Sequence, residues 1–158
     1  MAIYLFSIKP VYAYRIFTGV KKYELRRYTG FEVRRGDRII LYVSGRVKSL
    51  MGEFTAGRVI TGTPEEVWKR LSKILDTGVG EGDFKYIKGS RQAMAIEVLN
   101  PKVYPTPVEL ETLRRILPDF NPPLSMRQLD EDDPLIKLVI RRIRERFEKS
   151  GELAFTNP

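Results

Sequence analysis

The order of apolar and polar positions predicts alternating short strands and helices. Met1 to Ile8 alternates weakly and is rich in Ile, Tyr, Leu and Phe, the pattern of a mostly buried first strand. Pro10 suits the first turn of a helix, and the run to Thr18 stops at Gly19, so a short helix is expected with Val11, Ala13, Ile16 and Phe17 toward the core. From Lys22 to Arg27 the period changes to two: Tyr23 and Leu25 point one way, Lys22, Glu24 and Arg26 the other, giving a strand with one charged face. Gly36-Asp37 marks a turn before the buried strand Ile39 to Val43, and Leu50 to Ile60 reads as a strand bent at Gly52 and Gly57.

Thr63-Pro64-Glu65-Glu66 is a capping box that opens a helix running to about Leu75, with Val67, Trp68, Leu71 and Leu75 inward. A glycine-rich loop (Thr77 to Asp83), a helical turn (Phe84 to Ile87) and a strand (Ala93 to Leu99), which Lys102 to Tyr104 continues or bends, follow. Prolines between Pro105 and Pro123 restrict regular structure to a short helix, Val108 to Ile116, then an irregular stretch. Asp130 to Asp133 caps a last helix from Pro134 to about Phe147, in which Leu135, Leu138, Val139, Arg142 and Ile143 recur at helical spacing. Helices mixed with strands that bend at glycines predict an α+β barrel rather than a parallel sheet. The expected organisation is a barrel domain over residues 1–104 and a proline-containing helical extension over residues 105–158 packed on it.

Length and composition narrow the classes. The 158 residues are enough for one proper core, and no apolar run is long enough to span a bilayer. Met1 to Pro10 lacks the regions of a signal peptide, so a cytoplasmic location and no membrane partner are expected. The chain has no Cys and no His, which removes disulfides, thiolate nucleophiles, the commonest metal ligands and the commonest general base. No cofactor or metal is expected, and any catalysis would rest on Lys, Asp, Glu, Tyr, Ser or Thr.

Charge adds the strongest functional hint. The net charge is +8, and residues 1–60 hold twelve Lys or Arg against four acids, so the whole excess lies in that part. A localised positive field favours a polyanionic partner. The structural alternative is a solvated surface rich in Arg, Lys and Glu, of the kind thermophile proteins carry.

Three segments of this basic part belong together: Ser7-Ile8-Lys9-Pro10, Gly19-Val20-Lys21-Lys22-Tyr23-Glu24-Leu25-Arg26-Arg27, and Tyr42-Val43-Ser44-Gly45-Arg46-Val47-Lys48. Together they resemble the ASCH domain, in which a strand ending S-I-K-P leads into a helix, a G-x-K-x-x-E-x-R motif follows, and a barrel strand ends in a small polar residue. The resemblance covers about residues 3–99. It implies a small PUA-like β-barrel with flanking helices and a basic cleft beside the first helix, in a fold group used to bind RNA and, in some members, DNA.

The residues read compatibly. Lys9 and Lys21 should meet at one mouth of the barrel, Arg26 and Arg27 offer planar forks for phosphate or a base edge, and Tyr12, Tyr14, Tyr23 and Tyr28 are interleaved with these cations. The expected nucleic-acid site is Lys9, Tyr12, Lys21, Lys22, Arg26, Arg27, Ser44, Arg46 and Lys48, with RNA favoured over DNA. Against this stand a core position for Tyr23 and a solvated ion-pair ladder Lys22-Glu24-Arg26.

Two other functions compete. Some ASCH proteins are amidohydrolases of acetylated cytidine in which a motif Lys works with a Thr three residues on; Lys21 matches the Lys, but Glu24 stands where the Thr would be. Under that reading Lys21, Glu24 and Glu53 are the catalytic candidates, with the Lys21 pKa lowered by burial or neighbouring cations. The third reading is a protein-interaction module built on the proline-rich segment and last helix. The sequence leaves the oligomeric state open.

Overall fold

The computed structural model describes residues 1–155. The strands are β1 (Ile3–Ile8), β2 (Tyr23–Arg27), β3 (Arg38–Val43), β4 (Ser49–Gly62), β5 (Ala93–Glu109) and β6 (Met126–Leu129). The helices are α1 (Pro10–Phe17), α2 (Pro64–Leu71), α3 (Glu81–Ile87), α4 (Leu110–Ile116) and α5 (Arg141–Phe155), the last entered through a π-helical turn at Ile136–Ile140. The strands form one sheet in the order β2-β5-β4-β3-β1-β6, with β1 and β3 parallel and every other pair antiparallel. The expected α+β class holds, and the sheet curls into a half-barrel flanked by helices.

The curl has a local cause. β4 and β5 are the longest strands, and their pairing shifts register between Leu50 and Gly52, Glu53 and Thr55, and Ala56 and Val59. Such bulges bend a strand and raise its twist. Gly52 is obligatory at the first of them, because a Cβ there would run into the Lys102 carbonyl and the Phe17 ring.

The period-two pattern of the central strands puts a core on each face of the sheet. Ile3, Leu5, Ile40, Tyr42 and Leu50 pack against Leu113 of α4 and against Leu135, Ile136, Val139, Ile140 and Ile143. Tyr4, Phe6, Ile8, Ile39, Leu41 and Val43 pack against Ala13 and Ile16 of α1. A third cluster sets Tyr23, Leu25 and Ile60 under Val67 and Leu71 of α2 and Ile87 of α3. Each fully buried Leu or Ile contributes about 1.5–3 kcal/mol, so the C-terminal helical segment is fastened to the sheet by several such side chains.

Several expectations need correction. α2 ends at Leu71 and leaves Leu75 almost fully exposed, and Trp68, half-buried, rests on the Phe84 ring instead of entering the core. Val11 faces solvent, because α1 is only eight residues long and its inner face is spent on Ala13 and Ile16. The π-helical turn shifts the phase of the last helix, so Ile136 and Ile140 face inward while Leu138 and Arg142 face out. β5 runs unbroken through Tyr104, Pro105 and Pro107 to Glu109. Its prolines are tolerated because β2 pairs only with Ala93–Glu97, which leaves the far half of β5 as a free edge. β6 is a short edge strand on β1, inside the stretch that the prolines marked as irregular.

The charged face expected for β2 is present in Glu24 and Arg26, but it is closed off from solvent. Glu24 and Arg26 are buried along with Tyr23 and Leu25, and Lys22 lies just before the strand.

Candidate functional site

A pocket of 660 Å³ opens where the ends of β1 and β3 meet α1, β2 and α3. Its walls include Ser7, Ile8, Lys9, Tyr12, Lys21, Glu24 and Arg26, the turn residues Ser44, Gly45 and Lys48, Asp83, Lys85 and Tyr86 of α3, and Pro122-Pro123-Leu124 on the far side. Ser44 fixes the turn to β1, its amide and hydroxyl both donating to the Ile8 carbonyl at 2.8 and 3.2 Å.

The floor is a chain of four buried charges. The Lys21 ammonium lies 2.7 Å from Glu24 Oε1 and 2.7 Å from Asp83 Oδ1, and 4.6 Å from the centre of the Tyr12 ring. Arg26 Nε donates to Glu24 Oε2 at 2.8 Å, while its two terminal nitrogens donate to the carbonyls of Ser125 (3.1 Å) and Ser7 (2.8 Å). The guanidinium stacks 4.5 Å from the centre of the Phe6 ring. Two cations and two carboxylates balance, which is the condition under which buried charges persist.

This environment fixes the protonation states. Burial works to lower the Lys21 pKa, but the adjacent Glu24 and Asp83 carboxylates outweigh it and hold the ammonium above the usual lysine range. Burial works to raise the Glu24 pKa, and Lys21 and Arg26 outweigh it in turn, so the carboxyl stays below its usual range. Lys21 is therefore a fixed cation rather than an amine ready to act as base or nucleophile.

Asp83 reaches the cluster through the glycine-rich loop. Gly78, with φ of +71°, packs so closely on the Val20 carbonyl and the Lys21 backbone that a side chain there has no room. The contact is reinforced by Lys22 N–H donating to the Thr77 carbonyl (2.8 Å) and by Arg15 Nη2 donating to the Gly78 carbonyl (2.9 Å). Asp83 then accepts from Gly80 N–H through Oδ2, which leaves Oδ1 for Lys21.

With the floor neutral, the cations able to meet a ligand stand on the rim: Lys9, Lys48 and Lys85, all exposed. Lys48 has φ of +46°, left-handed backbone that costs a non-glycine residue free energy and is enriched at functional sites. One further hydroxyl adds to the wall. Tyr42 lines the pocket with no hydrogen-bond partner for its hydroxyl among the described residues, and burial raises its pKa. Ser125 Oγ, behind the wall residue Leu124 and not itself in the wall, is buried and also lacks a partner.

Of the residues expected from the sequence, Lys9, Tyr12, Lys21, Glu24, Arg26, Ser44 and Lys48 come together in this pocket. Lys22, Arg27 and Arg46 are exposed outside it. Glu53 lies elsewhere, its carboxylate taking two bonds from Arg38 (3.0 and 2.6 Å) and one from the Tyr104 hydroxyl (2.7 Å). Asp83, Lys85, Tyr86 and Tyr42 were not expected. For Asp83 the signal was present, since Gly80-x-x-Asp83 is a helix-start spacing that places a carboxylate at a fixed position. Among the described residues no group of three or more His, Cys, Asp or Glu could hold a metal ion, and no helix is long and apolar enough to cross a membrane.

Comparison with known proteins agrees with the fold. A family model described as "Domain of unknown function (DUF365)" matches residues 2–117. An ASCH domain-containing ribonuclease from Zymomonas mobilis subsp. mobilis is 27% identical over 136 residues, covering 84% of this chain and 89% of that one. The crystal structure of ASCH from Zymomonas mobilis superposes with a TM-score of 0.70 at 25% identity, over 86% of this chain and 94% of that one. A serine-to-alanine variant of the same protein gives 0.72 at 25% identity, over 88% and 95%. A tyrosine-to-phenylalanine variant gives 0.72 at 25% identity, over 87% and 96%. The ASCH fold expected from the three motifs is thus the fold observed.

Proposed function

We propose that this chain, which belongs to the DUF365 family, binds single-stranded RNA in the pocket between β1, α1 and α3 and cleaves it. The observation that carries the reading is the division of charge within the pocket: a neutral, rigid floor and three rim lysines free to meet phosphates. A single strand suits the opening, because its bases can leave the stack and lie on Tyr12 while Lys9 and Lys48 contact the backbone. The similar ribonuclease from Zymomonas mobilis supports RNA as the polymer.

The same pocket would also suit cleavage. When the ribose 2′-oxygen attacks the adjacent phosphorus to form a 2′,3′-cyclic phosphate, solvent water takes its proton, the bond to the departing 5′-oxygen breaks, and water returns a proton to that oxygen. Negative charge gathers on the phosphoryl oxygens in between. Lys48 faces that charge, and the unpartnered Tyr42 hydroxyl supplies a hydrogen bond to a developing oxyanion. A Tyr42 hydroxyl with raised pKa is suited to donate rather than to ionise. The Zymomonas mobilis protein was also solved with a tyrosine and with a serine replaced, residue types that this wall presents.

Amide hydrolysis through Lys21 is not favoured, since the lysine is held charged between two carboxylates.

Incubation with labelled single-stranded RNA, its deoxy counterpart and duplex RNA tests the proposal. Binding that steepens at low salt, with cleavage only where a 2′-hydroxyl is present, is the expected result. Failure to bind any of the three at low salt would overturn it.

A further inference from the structure

Beyond the pocket mouth the α3 wall continues as a second surface. Lys85, Tyr86, Lys88 and Arg91 are all exposed, and no acidic residue lies between Lys85 and Gln92. None of the three cations enters an ion pair among the described residues. The Tyr86 ring borders the pocket and is 41% exposed.

An exposed tyrosine on a solvated rim needs no scaffold, yet this one has one. Arg27 Nε donates to the Tyr86 carbonyl at 2.7 Å, Nη2 donates to the Lys88 carbonyl at 3.4 Å, and the guanidinium carbon lies 5.9 Å from the ring centre. The fork is spent on backbone oxygens, so Arg27 is a positioning residue rather than the phosphate ligand that the sequence suggested. One residue on, Tyr28 is 43% exposed, and its amide donates to the Gln92 carbonyl at 2.9 Å. The end of β2 and the α3–β5 connection therefore run side by side. They present two exposed rings, Tyr86 and Tyr28, among Lys85, Lys88 and Arg91.

Alternating rings and cations of this kind are what a single strand uses: each ring takes a base face and each cation a phosphate, without regard to sequence. We propose that this strip is a second nucleotide subsite, so that the substrate is an RNA chain running from the pocket over Tyr86 toward Tyr28 rather than a free nucleotide. The proposal rests on the pocket's being the RNA site. It adds a path and a minimum length, because a mononucleotide can fill the pocket but cannot reach the strip.

Binding of fluorescent oligouridylates of increasing length, from a mononucleotide to roughly eight residues, tests it on four proteins of verified fold: wild type, Tyr86→Ala, Tyr86→Phe and the double variant Lys88→Glu, Arg91→Glu. Wild-type affinity is expected to climb with length. The double variant should lose about tenfold on the longer chains and nothing on the mononucleotide; Tyr86→Ala, whose ring also borders the pocket, should lose about tenfold on the longer chains and clearly less on the mononucleotide, whereas Tyr86→Phe, which keeps the ring, should behave as wild type. If Tyr86→Ala and the double variant bind every length as wild type does, while Lys48→Ala weakens all lengths, the subsite is wrong and the pocket stands. If Tyr86→Ala weakens the mononucleotide as much as the longer chains, Tyr86 belongs to the pocket and the second subsite is again refuted. If wild type binds no length at low salt, the pocket reading itself fails.

Discussion

Lys21 and Asp83 meet at 2.7 Å with both side chains almost wholly buried, and this contact joins the entry of β2 to α3. The ammonium simultaneously holds Glu24, so one lysine couples two carboxylates that reach the pocket from different elements. Stability and the shape of the binding site are thereby linked.

Glu24→Gln should destabilise the fold strongly. It leaves Arg26 without its carboxylate and Lys21 with one partner, and breaking a buried pair by removing one side costs about 3–5 kcal/mol. Thermal or urea unfolding measures the loss. A change under about 1 kcal/mol, the range of exposed pairs, would mean the cluster is solvated and not buried.

The same pair sets a pH window. Glu24 has a depressed pKa in the folded state, so its contribution is present above the unfolded carboxylate value and lost as pH falls through the folded one. Lys21 has a raised pKa, so its contribution is present below the unfolded lysine value and lost as pH rises through the folded one. Melting temperature against pH should be level through neutrality and fall on both flanks. Glu24→Gln should flatten the acid flank, and an unchanged acid flank in that variant would show that other carboxylates control it.

Removing a rim lysine should act on binding and spare the fold. Lys9→Ala and Lys48→Ala are each expected to weaken single-stranded RNA at low salt and to lower the slope of log K against log salt by about 0.7, the value for one phosphate contact on a single strand. Fluorescence anisotropy at several salt concentrations gives the slope. Identical slopes in wild type and variants would remove these lysines from the interface.

Tyr42→Phe should separate cleavage from binding. Loss of one preorganised donor to a developing oxyanion typically costs about 100-fold or more in rate, so single-turnover cleavage should fall by about that factor with affinity nearly intact. A rate unchanged in this variant would assign the chemistry to other groups.

Tyr104→Phe offers the converse. Its hydroxyl bonds to Glu53 in a buried group with Arg38, away from the pocket. The variant should lose about 1–3 kcal/mol of stability, as for a buried group deprived of its partner, and bind RNA as wild type does. Altered affinity would show that this network communicates with the pocket.

The sequence made much of the fold legible where a local rule governs it. Pro10 and Gly19 bracketed α1, the Thr63 capping box opened α2, and the unbroken apolar run Ile39 to Val43 is the buried middle strand of the sheet. The three motif segments do converge on one pocket. What could not be read depends on distance along the chain. Glu24 looked like part of a solvated ladder because Asp83, the second partner of Lys21, arrives from α3, and only tertiary packing removes the cluster from water. β6 is four residues long among prolines and exists because the β1 edge templates it. Arg27 matched a phosphate contact by type and position, but the carbonyls that occupy it belong to Tyr86 and Lys88, sixty residues on.

Arg26 holds the far wall of the pocket in a manner that bears on how the site can diverge. Its fork grips the carbonyls of Ser7 and Ser125, Ser7 N–H donates to the Ser125 carbonyl, and the Ser7 hydroxyl donates to that of Pro123. Every acceptor is main chain, so the anchorage is blind to which side chains residues 122–125 carry. Substitutions there can reshape what the cavity admits without loosening its frame, which makes this short segment the place where homologues can exchange ligand preference at little cost to folding.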